Sequence, residues 1–208
     1  MSHLDSSPAV PDEKLRSLAV FLDVIFALMF FRIVEFLPSF QDGHWQHLPY
    51  GILSLLVSQP TNLMRVLFGL VITIYYWTRK NVLLSLLAKS NGIISALSIT
   101  SLSFLCLFMY ALIADPEYVG GVPTLLLQSV SLAIASFLSF LALRYAIHGD
   151  LVRPELKPSV GQIARVDLSN PLTAIVATGL SWSGLTIWTL SWFVLMPLFS
   201  WLLAKPKA

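Results

Sequence analysis

Three ionisable residues, Asp23, Arg32 and Glu35, lie within SLAVFLDVIFALMFFRIVEFLPSF (17–40), a stretch that is otherwise apolar. A charge at bilayer depth costs about 2.5–3.5 kcal/mol on insertion scales, so such a group faces a partner, a bundle interior or water rather than lipid. The chemistry these residue types offer is electrostatic: pairing, steering and coordination of ions. At about 3.6 residues per turn, Phe21, Val24, Ile25, Leu28, Arg32 and Glu35 form one stripe, and Asp23 lies roughly 140° around the axis from Leu28. Arg32 and Glu35 are spaced to pair with each other on the helix surface. Asp23 is placed to accept hydrogen bonds from an adjacent helix. The stripe can also line a permeation path, with Ile25 and Leu28 as a constriction, since large aliphatic rings gate pores by dewetting and nearby charges set ion preference.

The elements that must position these residues follow from composition. Of 208 residues only 12% are charged, about half the roughly 25% of soluble domains. A membrane helix needs about 20 apolar residues. The fold class is therefore an all-α integral membrane protein with six transmembrane helices. The spans are expected at about 17–37, 62–77, 91–114 and 125–147, with a closing hairpin over 171–203 interrupted by SWSG at 181–184. GILSLLV (51–57) is too short to cross and reads as a short helix between spans one and two. Three segments result: a cytoplasmic N-terminal tail (1–16), a six-helix transmembrane channel-like domain (17–203) and a cytoplasmic C-terminal tail (204–208). The polar start, MSHLDSSPAVPDEKLR, lacks the pattern of a cleaved secretory signal.

Charge placement orients the helices. Eleven of the 13 basic residues fall on the side of the termini, which the positive-inside rule assigns to the cytoplasm; Arg32 and Arg65 are the two exceptions. Thr78, Arg79 and Lys80 are expected to close span two at a water interface. Trp188 and Trp192, four apart, share a helix face suited to packing.

Other chemistry is sparse. His44 and His47, with Asp42 nearby, lack the further ligands of a metal site. Cys106 reads as buried packing and His148 as solvated. No Gly-rich phosphate loop, HExxH or GxSxG occurs. No catalytic residue, metal or cofactor is expected, the chain is not read as an enzyme, and no nucleic-acid partner is expected.

VFLDVIFAL (20–28) resembles the AFSDGVFAI core of the transmembrane protein 175 family of potassium channels. VITIYYWTRKNVLL (71–84) is similar to that family's second-span ending, and ALRYAIHGDLVRPEL (142–156) to the end of its fourth. The resemblance extends over about residues 14–203. It implies a prokaryotic plasma-membrane channel passing potassium or another monovalent cation, assembled as a homotetramer in the lipid bilayer with four first spans around the axis. It implies a constriction at Leu28 and a network involving Phe21, Asp23 and a nearby arginine, which Arg16 approximates one place off register. The chain departs from the family outward of Leu28, where Arg32 and Glu35 stand. That departure opens two alternatives, a non-conducting scaffold or regulator and, less favoured, a carrier.

Overall fold

A computed structural model describes residues 13–35, 60–113 and 121–204, without the side chains of 60–65. Helix α1 covers Glu13–Val34, α2 Pro60–Leu86, α3 Gly92–Ile113 and α4 Val122–His148. Two 11-residue helices follow, α5 (Lys157–Asp167) and α6 (Ser169–Gly179), and then α7 (Leu185–Ala204). The fold is all-α, with no sheet among the described residues.

The termini of these helices follow local chemistry. Pro60 opens α2 and Pro123 sits in the first turn of α4, where a missing N–H leaves no hydrogen bond unmade. Helix α4 closes at Gly149, whose N–H donates to the Tyr145 carbonyl at 2.9 Å. The next residue, Asp150, takes a left-handed conformation (φ 51°), which aspartate tolerates better than most residues. Lys157, 2.9 Å away, holds the Asp150 carboxyl below the usual range. Near SWSG the helix tightens to a 3-10 turn over Leu180–Ser183, and Gly184 at φ 90° reverses the chain. That conformation strains any residue carrying a Cβ.

Four helices are long and apolar enough to cross a membrane: α1, α3, α4 and α7. The chain is thus a multi-pass membrane protein. Helix α2 has the length, 27 residues or about 40 Å, but carries Arg79, Lys80 and two asparagines. Helix α6 alone spans only about 16 Å of the ~30 Å hydrocarbon core. The hairpin expected over 171–203 is therefore unequal, a short α6 against a full-length α7. The expected short helix at 51–57, the cluster of Asp42, His44 and His47, and the ends of both tails lie outside the described residues.

Helices α3 and α4 pair most extensively, α6 packs against α4, and α7 packs against α6 and α5. Small polar side chains stitch the seam, as expected in membrane helices. Ser101 donates to the Ala135 carbonyl at 2.8 Å and lies 2.9 Å from the Ser139 hydroxyl. Trp188 is fully buried and its indole N–H donates to Ser129 at 2.7 Å. Its ring and that of Trp192 stand against Phe68 of α2, so the two tryptophans do pack the bundle. A two-strand contact finishes one end: the Ala88 N–H donates to Leu151 at 2.8 Å and the Arg153 N–H to Leu86 at 2.9 Å. This fastens the end of α2 to the end of α4.

Candidate functional site

Helix α1 packs through one face only. Leu15, Leu18, Leu22, Phe26, Met29 and Ile33 are buried, and at about 100° per residue they cluster within a sector of roughly 80°. Just 28% of its apolar stretch is buried. The stripe of Phe21, Val24, Leu28, Arg32 and Glu35 lies roughly 115° to one side of that face and is exposed. Ile25, at the edge of the stripe nearest the buried face, is half-buried.

Four of the expected pore residues come together. Ile25, Leu28, Arg32 and Glu35 line one side of an open cleft of about 520 Å³ between α1 and α3, and Cys106, Met109 and Tyr110 line the other. Cys106 is thus a half-buried wall of the cleft rather than deep packing. The Arg32 guanidinium donates to the Glu35 carboxylate at 2.9 Å, and both side chains are exposed. Arg32 also stands in the last turn of α1, where a cation complements the helix dipole.

The expected network divides. Asp23 faces the opposite flank of α1, where its Oδ1 accepts the Trp77 indole N–H of α2 at 2.9 Å. That bond joins the first two helices. Arg16, seven residues earlier, shares the flank of Asp23 and is exposed. Phe21 projects the other way, 44% exposed. Trp77, which the sequence did not single out, is the residue that gives Asp23 its role.

A second polar centre lies where α2, α4, α5 and α6 meet. Arg79 of α2 donates to Asp167 of α5 at 2.8 Å. Asn170 of α6 donates its amide to the same carboxylate at 3.3 Å, and its carbonyl oxygen accepts the Tyr75 hydroxyl. The Arg79 guanidinium also sits 5.8 Å from the centre of the Tyr75 ring. Burial pushes the Asp167 carboxyl above the usual carboxylate range, against the opposing pull of Arg79 and Lys80. Lys80 is buried, 4% exposed, where the sequence pointed to a water interface. Its burial follows from the segment after α4 folding back onto α2 and bringing Asp167 to Arg79, which no single acid in that segment announces.

No family model, curated protein or solved structure matches the chain. The site must therefore be read from its own geometry. The α1 face offers a charged, open, largely apolar surface that no described part of the protomer covers. The inner centre offers a closed polar junction. The first suits contact with water, ions or another copy; the second suits holding helices in place.

Proposed function

We propose that the protein is a subunit of a potassium-type cation channel in which α1 lines the pore. In this reading six segments cross the plasma membrane of a prokaryotic cell with both termini cytoplasmic. Helix α2 and the short α6, extended by the 3-10 turn over Leu180–Ser183, supply the two crossings beyond the four long apolar helices α1, α3, α4 and α7. Identical copies, four by the implication of the family resemblance, converge on their first helices. Leu28 and Ile25 narrow the path by dewetting, and Arg32 and Glu35 act outward of them as a charged ring.

The observation that carries this reading is the uncovered α1 stripe, which ends in an ion pair. Lipid is a poor neighbour for Arg32 and Glu35, and a shared aqueous path supplies the water they need. The chemistry is passive permeation without covalent steps. Purified protein in liposomes is expected to pass potassium, and Leu28→Ala to raise the flux several-fold by widening the constriction. Flux that is absent from both proteins, or identical in both, contradicts the proposal.

A second reading has its own support. The Arg32 side chain is 70% exposed, and a ring of such cations repels potassium unless Glu35 neutralises it. A relative of the channel that has become a membrane scaffold fits this feature. Arg32→Thr separates the two: a current that appears only in the variant favours the scaffold, and a current already present in the native protein favours the channel.

A further inference from the structure

We propose that a single halide-sized anion, chloride in the cell, binds in the small, partly open cavity between α2, α4 and α5, held by the Lys80 ammonium and the Arg79 Nε–H. The site is independent of the pore reading. Its walls include Arg79, Lys80, Tyr76, Ser139 and Asp167.

Three observations converge. The first is an orphaned pair of donors. Lys80 Nζ and Arg79 Nε are both buried, and neither has a hydrogen-bond partner among the described residues. Lysine and arginine carry donors and no acceptor, so a ligand that satisfies them from the cavity both residues line must accept. Of the wall's own acceptors, the Tyr76 hydroxyl is engaged with Ser136, the Ser139 hydroxyl with Ser101, and the Asp167 Oδ1 with both Arg79 and Asn170.

The second is charge. Arg79 and Lys80 bring two positive charges to the cavity, and Asp167 is the one carboxylate among its lining residues. A buried charge without compensation is costly. A water molecule satisfies the donors and leaves the excess charge, whereas a monovalent anion satisfies both.

The third is size. The space measures about 20 Å³, against roughly 10–15 Å³ needed to seat one water. One atomic anion fits. The ligand would tie α2 to the α4–α5 side of the bundle, where the Arg79–Asp167 pair already joins α2 to α5.

The test uses the full-length protein in detergent. Chloride is titrated against gluconate at constant ionic strength while thermal unfolding is followed, and crystals grown in bromide are examined for anomalous scattering. A saturable rise in the midpoint is expected, with the unfolding equilibrium constant falling about tenfold at ten times the dissociation constant. A bromide peak is expected in contact with Lys80 Nζ, and Lys80→Met should abolish the chloride dependence. A flat titration of the native protein, no peak at Lys80, or an undiminished chloride response in Lys80→Met each overturns the proposal. If Lys80→Met does not fold, the native titration and the bromide peak decide the question between them.

Discussion

Two ion pairs with the same chemistry sit in opposite settings. Arg79 and Asp167 come from different helices, with side chains 24% and 12% exposed, and a tyrosine and an asparagine extend the pair across the bundle. Arg32 and Glu35 come from one helix, three residues apart, with side chains 70% and 41% exposed. The inner pair draws α2 and α5 together, so its loss should be felt as instability. The outer pair connects α1 only to itself. Within the protomer it holds nothing that the helix does not already hold, so its place in an apolar face points to a task outside the protomer. Helix α7 sharpens the contrast. It is as uncovered as α1, with 22% of its apolar stretch buried, yet contains no charged residue. Exposure alone is thus what a lipid-facing helix shows; exposure with ionised groups is what α1 shows.

The contrast is broken most severely at the inner pair. Asp167→Ala leaves the Arg79 charge without its partner and is expected to destabilise the fold by about 3–5 kcal/mol, read by denaturant unfolding in mixed micelles. Little loss would mean that the inner pair is as dispensable as the outer one. Next comes a charge placed on α7: Leu190→Lys faces the surface at 51% exposure and should cost about 3 kcal/mol of membrane insertion or stability. The matching Leu28→Lys on α1 should cost much less if water reaches that stripe. Equal losses for the two lysines would erase the distinction between the helices.

Two smaller effects test the flanks of α1. Trp77→Phe removes the donor to Asp23 and should cost about 1.5–3 kcal/mol, the range for a hydrogen bond to a charged group, with the lower end expected at this exposed site. The double variant with Asp23→Asn should then lose less than the two single losses combined, as coupled neighbours do. Arg32→Gln should change stability by less than about 1 kcal/mol while altering ion flux. A variant that unfolds with unchanged flux would make the outer pair structural after all.

Much of this architecture is legible in one dimension. The first, third and fourth spans end within a few residues of where apolar runs end, because hydrocarbon thickness sets helix length. SWSG announces the break before α7 because Gly184 must take a positive φ. Residues 25, 28, 32 and 35 share a stripe by helical spacing alone, and the cleft that gathers them follows from it. What stays hidden is pairing across distance. Lys80 looks like an interfacial cation until α5 folds over it, and nothing near Trp77 in sequence announces its bond to Asp23, 54 positions away. The Arg79–Asp167 contact joins residues 88 apart, and no local period encodes it. The two arms of the closing hairpin are legible from the break at SWSG, but not their unequal lengths, because apolar composition does not say where along 171–203 each helix begins.

The most direct test places a single cysteine on the uncovered stripe. In a Cys106→Ser background, Leu28→Cys protein in potassium-loaded liposomes is treated with a charged, water-soluble thiol reagent while efflux is followed. Modification of the introduced thiol that blocks efflux is the result expected of a shared aqueous path lined by α1. A thiol that reacts only with a lipid-soluble reagent, with efflux untouched, would put that face against acyl chains and contradict the account.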